Sequence, residues 1–505
     1  MCNVCLRGGA ALCTGLLVTL HAISILTFLF LHHFHLCILW ESVFLCKETD
    51  FTGVYCVSFH HRLLSNGSGS IDSGVEKPYM SRLQPLKVSL PLSMKHECAP
   101  KRTFDDVLLA MYELTLRKVD HCSSMSKIGS STNSSAELVR VLSDRLNLRH
   151  WLNTVKFVHV AGTKGKGTTS SYAAALLKSH GLRVGLFTSP HIRDIRERIM
   201  IDNQILQQET FTRYFFQVKD SLADITDGDR RLVDSIPAPC SFFCLMFLVS
   251  LVAFSSESVD VAVVEVGIGG RYDTTNVITP QVSVITALGI DHTDMLGNTV
   301  EEIALEKAGI IKPGIICYSA PQKDHPSTRR VLEEYARKVN SPLLFADDVE
   351  MPAEDWPCLA IGGNHAVENS KLAVLAARSV MGIPSNRPLD KVEREVLEST
   401  TVVGRSHVIQ IGGGEKGTLY LDGAHTYESL CAATRWFVEE SAKRAGKSEP
   451  RRVLLLYSSR EPNRIVKSFM HSAGSFSKVV VVGVVDPKGM REIWKSNTLE
   501  YTHNK

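Results

Sequence analysis

The stretch VHVAGTKGKGTTS, beginning at Val158, constrains the chain more than any other. An apolar run from Val155 to Ala161 stops at Gly162. Gly162, Gly165 and Gly167 then alternate with Thr163, Lys164, Lys166 and Thr168, and a small-residue run, SSYAAALLKSHG, follows. This order predicts a strand, a tight glycine turn and a helix. The N–H groups of the turn and of the helix N-terminus form an anion nest, and Lys166 adds a full charge that bridges phosphate oxygens. The usual phosphate-loop pattern places Ser or Thr directly after the lysine; here Gly167 intervenes, so the loop is a variant. The alternative is a glycine turn with no ligand. Two lysines in one turn argue against it, because they repel unless an anion sits between them.

At 505 residues the chain exceeds one compact core, so two domains and an extension are expected. A formal charge of +3 and the lack of a basic run interleaved with aromatics exclude a nucleic-acid binder. Of the 13 cysteines, seven precede residue 100, and the other six are scattered without paired spacing, as suits reduced thiols.

From Gly8 to Trp40 there is no Asp, Glu, Lys or Arg, and the run from Ala10 is long enough to span a bilayer. Three readings stand: a membrane anchor, a cleaved targeting segment, or sequence translated from outside the true coding start. Met80 and Met94 are alternative starts, and the basic stretch between Met80 and Arg102 suits an organelle transit peptide. Residues 1–102 are therefore expected to form a hydrophobic and disordered extension, with folding from Thr103.

The run FDDVLLAMYELTLRKV predicts a helix, Ser123 to Ser135 a loop, and AELVRVLSDRLNLRHWL a second helix. After the glycine loop and its helix, a strand over Val184 to Thr188 ends in Ser189-Pro190-His191. The crossover makes a βαβ unit, so the strands are parallel and their carboxyl ends share an edge. Arg193, Arg196 and Arg198 follow in an expected loop, where they serve either as a solvated charged face or as binders of an anionic substrate. Phe242 to Phe254 reads as a buried core helix. Glu265 closes a fully apolar strand, where an acid is costly to bury unless it meets a metal or a cation. His292 follows another apolar strand. Ser189, Glu265 and His292 thus stand at the edge where open α/β sheets bind ligands. A helix capped by Asn298 or Thr299 carries Lys307, and a glycine turn before another helix brings His365 and Asn369. Leu389 to Val408 reads as a domain junction, beyond which further strands and helices form a second α/β unit.

Together these segments resemble the folylpolyglutamate synthases of the ATP-dependent Mur ligase superfamily, over about residues 103 to 485. The resemblance rests on six segments in family order: GTKGKGTT, FTSPHIRDIRERI, VDVAVVEVGIGGRYDTTN, LGIDHTDMLGNTVEEIALEKAGI, NHAVENSKLA and LDGAHT. GTKGKG and the SPH…RERI stretch are more similar to the eukaryotic enzymes than to the bacterial bifunctional ones. The implied fold is α/β: a mostly parallel, phosphate-loop-containing sheet domain (103–395) followed by a smaller Rossmann-like α/β domain (396–505), shorter than the family's. The implied activity is ATP-dependent addition of L-glutamate to the γ-carboxylate of a reduced folate through an acyl phosphate. Dihydrofolate synthase activity and a nucleotide-binding pseudoenzyme are the alternatives.

The resemblance also implies roles. Gly162, Thr163, Lys164, Gly165, Lys166, Gly167 and Thr168 hold the phosphates of ATP. Ser189, Glu265 and His292 bind Mg²⁺, with a monovalent cation such as K⁺ as a further cofactor. Lys307 matches a lysine that becomes a carbamate, and Asn369 matches an adenine-binding asparagine. Arg405 and Asp422 match ATP contacts from the second domain, and His425 lies beside the transferred phosphate. Pro190, His191, Arg196, Arg198 and Asp273 fall where the pterin-bearing substrate binds. Where the family carries Trp-Pro before Gly-Arg, this chain has Val402-Val403, which bears on the hinge. A monomer in the cytoplasm or the mitochondrion is expected, without nucleic acid, and with membrane contact only through the apolar run from Ala10.

Overall fold

The computed structural model describes residues 101–119, 128–223, 240–349, 356–411, 417–424, 427–445, 453–457 and 478–482. The apolar run from Ala10, the alternative starts and the expected short helix near Arg464 lie outside these residues. Among the described residues no helix is long and apolar enough to cross a membrane.

Strands β1 (Lys156–Ala161), β2 (Val184–Phe187), β5 (Val261–Glu265), β6 (Val282–Ile285), β7 (Cys317–Ser319) and β8 (Leu343–Phe345) form the parallel part of an eight-stranded sheet. Two short strands, β3 (Ile199–Ile201) and β4 (Gln204–Ile205), extend one edge antiparallel, giving the order β4-β3-β2-β5-β1-β6-β7-β8. Val160 of β1 lies level with Glu265 of β5, and Ala161 with Ile285 of β6. The chain therefore leaves β1, β5 and β6 side by side at one edge. A strand order that reverses beside β1 leaves a crevice there.

Both faces of the sheet are covered, which is why the central strands read as unbroken apolar runs. On one face lie the helix after β1, Lys166–Ser179, and the helix Asn364–Met381. The other face carries the helices Phe104–Val119, Ile128–Arg145, Gln208–Ala223 and Phe242–Ser256 at one end. Helices Val300–Ala308 and Ser327–Lys338 cover its other end. Phe242–Ser256 is buried all round from Cys244 to Phe254, the core helix expected from its composition. Side chains of β1 alternate between the faces, with Val158 and Val160 on one and Phe157 and Ala161 on the other.

Three local expectations are corrected. The stretch from Ser123 is not all loop, because a helix runs from Ile128 to Arg145. Burial of Leu138, Val139 and Leu142 anchors its later turns, and Ser and Asn oppose helix only weakly once a helix is nucleated by packing. The arginine segment is not an open loop either. Asp194 and Glu197 form a capping box that winds Ile195–Arg198 into one 3₁₀ turn. At the expected junction, Lys391–Ser399 is a helix packed on the first unit, and it runs across the anticipated boundary at 395/396.

The C-terminal unit follows a tight turn at Val402–Arg405. Its described part holds an antiparallel pair, β9 (His407–Ile411) with β10 (Gly417–Leu421), the helix Tyr427–Ala445, and a parallel pair, β11 (Val453–Tyr457) with β12 (Lys478–Val482). Gly362 of the first unit lies under Trp436 of the second so closely that a Cβ there would overlap the indole nitrogen.

Candidate active site

The glycine loop is held by its neighbours before any ligand is considered. Thr163 and Lys164 both donate their backbone N–H to the carbonyl of Ala287 at 3.0 Å. Thr163 Oγ1 donates to Gly289 O and accepts from Gly289 N, each at 3.1 Å. Gly162 and Gly165 adopt φ of 146° and 89°, and a Cβ at either would collide with a buried side chain, Thr286 at the first and Asn369 at the second. Only glycine meets both demands. Gly165 caps the helix Lys166–Ser179, so the N–H groups of Lys166, Gly167 and Thr168 open its first turn without intrahelical acceptors. The Lys166 ammonium folds back over the turn, donating to Gly162 O at 3.2 Å and Thr163 O at 3.5 Å. The result is a set of open helix N–H donors with a cation beside them, an arrangement suited to a phosphate.

Glu265 stands beside this surface. A Cβ at Gly167 would sit 3.5 Å from Glu265 Oε2, and the same oxygen accepts the Ser189 N–H at 2.9 Å. The side chain is buried, and burial raises its pKa, opposed by Lys166, the Ser189 amide, Arg405 and Arg198. Pro190 follows Ser189 through a cis peptide and is exposed. His292 sits at the start of the short helix Thr293–Leu296 with φ of 51°, its backbone N–H donating to Asp291 Oδ1. Its Nε2 lies 3.8 Å from Asp291 Oδ2.

Lys307 is buried as well. Burial lowers its pKa to about 7, Lys166 adds to that, and Asp291 and Asp273 oppose it. Gly270 packs so tightly on this helix that a Cβ would lie 2.8 Å from Lys307 O, and Arg271 N donates to Glu306 O.

Asp273 and two arginines have hydrogen-bond partners within the chain. The two oxygens of Asp273 accept from Gly267 N, Ile268 N, Thr275 N and Thr275 Oγ1, so its carboxylate shapes the loop after β5. Arg196 pairs with Asp194 at 2.6 Å and donates to Leu206 O. Arg198 is fully buried, donates to His191 Nδ1 at 2.9 Å and packs over Phe242, while burial pulls its pKa down to about 10. His191 is held neutral, at about 3, by burial and by Arg198. Arg193 alone of the three arginines projects into solvent. Arg196 thus spends Nε, Nη1 and Nη2 within the chain, while Arg198 spends Nε on His191 and keeps Nη2 buried.

The second unit faces the loop with charge. Arg405 pulls on the ionisation of Glu265 across the two units. Asp422 accepts from Ser406 N at 2.8 Å and Ala424 N at 2.9 Å, tying the end of β10 to the residue before β9 and fixing the turn after β10. His365, missed as a site residue, is depressed by burial, while Asp422 and Glu368 raise it and Arg405 lowers it. His425 lies outside the described residues.

Among the described residues no group of three His, Cys, Asp or Glu side chains gathers as a self-sufficient metal centre. The donor set still suits Mg²⁺, which takes one or two carboxylates and fills its other positions with phosphate oxygens and water. Glu265, buried with its ionised form disfavoured and set beside the open first turn of a helix, has the chemistry of such a carboxylate.

Comparison with known proteins agrees with this architecture. No family model matches the chain. A curated relative, the folylpolyglutamate synthase of Candida albicans, is 34% identical over 384 residues, covering 71% of this chain and 73% of that protein. The mitochondrial folylpolyglutamate synthase of Homo sapiens is 36% identical over 345 residues, and there the chain spans 57% of the relative's length. The solved Mycobacterium tuberculosis folylpolyglutamate synthase, complexed with ADP and AMPPCP, superposes with a TM-score of 0.60 at 24% identity, covering 74% of this chain and 86% of that one. A relative aligned at this identity over more than two thirds of both sequences, with the fold to match, places the chain: it belongs to the folylpolyglutamate synthase family.

Proposed function

We propose that this chain is an ATP-dependent ligase that adds L-glutamate to the γ-carboxylate of a reduced folate's glutamate tail. The observation that carries the reading is the set of charges around the glycine loop, the half-buried Lys166 coupled to the buried Glu265 and Lys307 with Arg405 acting on Glu265 from the second unit, because a carboxylate attacking a polyanion needs its charge offset. The nucleotide of the solved relative, ADP or AMPPCP, is consistent with ATP on this loop.

In the reaction a carboxylate oxygen of the folate tail attacks the γ-phosphorus and ADP leaves. The amino group of glutamate then attacks the acyl carbon, phosphate departs, and the amine loses a proton. Lys166 and the first-turn N–H groups stabilise the charge that grows on the phosphate oxygens. Glu265, Ser189 and His292 would hold Mg²⁺ there. Bound there, the metal supplies charge neutralisation and alignment. The Lys307 amine is largely uncharged just above neutral pH, the form that adds carbon dioxide; as a carbamate it becomes an anion suited to a second cation. Asn369, pressed on Gly165, takes the adenine side, and Arg405 and Asp422 bring the second unit onto the nucleotide. We set the division between the units in the turn after Ser399. Closure there excludes water from the acyl phosphate. The cytoplasm or the mitochondrion is the proposed compartment.

The test is direct. Purified chain with tetrahydrofolate, ATP, Mg²⁺ and labelled glutamate should yield a lengthened tail, and well-folded protein that makes none defeats the reading. Dihydropteroate offered in parallel separates dihydrofolate synthase activity, and nucleotide binding without phosphate release with either acceptor marks a pseudoenzyme. Lys166→Ala should lower turnover by roughly 10²–10³-fold, the scale of one lost oxyanion-type donor. Its melting temperature should stay at the wild-type value.

A further inference from the structure

His159 lies in the middle of β1, fully buried, in a strand whose other members from Phe157 to Ala161 are apolar. A polar ring there costs stability unless it is satisfied, and no step of the ligation uses it. Its Nε2 is 2.9 Å from Thr275 Oγ1, while Nδ1 has no hydrogen-bond partner among the described residues. Thr275 Oγ1 is in turn 2.5 Å from Asp273 Oδ1. Asp273 also accepts N–H groups from Gly267, Ile268 and Thr275.

Proton counting settles the direction of this chain. A threonine hydroxyl has one proton. Burial raises the pKa of Asp273, but the Thr275 hydroxyl and three backbone N–H groups oppose it and favour the ionised form, and an anion at 2.5 Å takes the hydroxyl proton. Thr275 Oγ1 is then left as an acceptor toward His159, so Nε2 must carry the ring proton and Nδ1 must be bare. Burial and the nearby Lys312 hold the ring neutral, at about 3, so it donates without a charge.

The far end of the chain is the site. Asp273 fixes residues 267 and 268, which directly follow Glu265 and Val266, and the same loop carries Gly270 and Arg271 onto Glu306 and Lys307. We infer that His159 is a positioning residue of the reaction, acting through Thr275 and Asp273 to hold the 267–275 loop that sets Glu265 and Lys307 in place. This rests on the ligase reading given above. It assigns a role to a strand residue that touches no substrate.

The tautomer is tested first, in wild-type protein labelled with ¹⁵N-histidine. His159 should be neutral and protonated on Nε2 throughout pH 5 to 8. An Nδ1-protonated ring, or one that charges in this range, overturns the inference. This readout does not depend on turnover, so it stands apart from failure of the ligase reading. Steady-state kinetics on the full chain then compare His159→Gln, whose amide N–H reaches about where Nε2 does, with His159→Leu, which has no donor. The leucine variant should lose roughly 10–100-fold in kcat, the usual cost of a lost supporting contact, with KM for ATP unchanged. The glutamine variant should recover most of kcat. Equal activity in leucine variant and wild type, or equal loss in both variants, sinks the proposal. If the leucine variant does not fold, Thr275→Val against Thr275→Ser gives the same comparison one link along, with the same two outcomes deciding.

Discussion

Lys307 shows what one buried amine does to the whole chain. Its pKa is about 7 in the folded protein, against an ordinary value of 10.5. Between those pH values the unfolded chain binds a proton that the native one does not, so this group's contribution to stability rises with pH across the window. Below about 7 the ammonium is buried at full cost. In buffer freed of carbon dioxide, Lys307→Met should therefore melt above wild type at pH 6.5, and the gap should narrow steadily toward pH 10. A constant gap would mean that the amine is solvated. Much of the site's position was legible in sequence at this scale. Glu265, Ser189 and the segment leading to His292 follow apolar strands, and parallel strands deliver their carboxyl ends to one edge. The inward turn of Arg196 and Arg198 was not read from sequence, because it follows from how the 191–206 segment winds and folds back, which sets Asp194, Leu206 and His191 against their donors. His159 did leave a signal, a single histidine in a strand otherwise apolar beyond Lys156, but it stood in the shadow of the loop it precedes.

Among the elements, the helix Lys391–Ser399 is held to Asn364–Met381 by one fully buried ion pair. Arg378 Nε and Nη2 donate to the two oxygens of Glu393 at 2.8 and 2.7 Å, and the remaining donors reach the carbonyls of Ser385, Arg387 and Pro388. Removing one partner strands the other charge. Arg378→Met should cost about 3–5 kcal/mol in urea unfolding, and Arg378→Met with Glu393→Leu should recover part of it. A neutral single variant would mean that water reaches Glu393. The same pair explains why this stretch reads as a junction. Its polar composition suggests a linker, yet one of its charges, Glu393, is consumed by Arg378 of the preceding long helix and ties the stretch to the first unit. At the start of Ile128–Arg145 the lesson is similar, since serine and asparagine look like loop until Leu138, Val139 and Leu142 are seen to anchor the helix. The central strands and the helix Phe242–Ser256 needed no such help, because their burial is written in their composition.

Across the whole molecule, nucleotide binding and stability are linked. A ligand that binds only the native state at 100 times its Kd adds ~2.7 kcal/mol. ATP with Mg²⁺ should therefore raise the unfolding midpoint, and Arg405→Ala should show a smaller rise at the same ATP concentration, because the second unit then loses its cation facing Glu265. Identical rises, measured by calorimetry, would place Arg405 away from the nucleotide. The two units differ in what they bring to that encounter. The Ala287 carbonyl already binds the N–H groups of Thr163 and Lys164, and Gly289 already grips the Thr163 hydroxyl. The ordering of the cradle is thus settled when the chain folds, and little entropy remains to be lost when a triphosphate arrives. A mould set in advance has a second effect: it discriminates by shape, accepting a polyphosphate whose spacing fits and rejecting one that would need the loop to move.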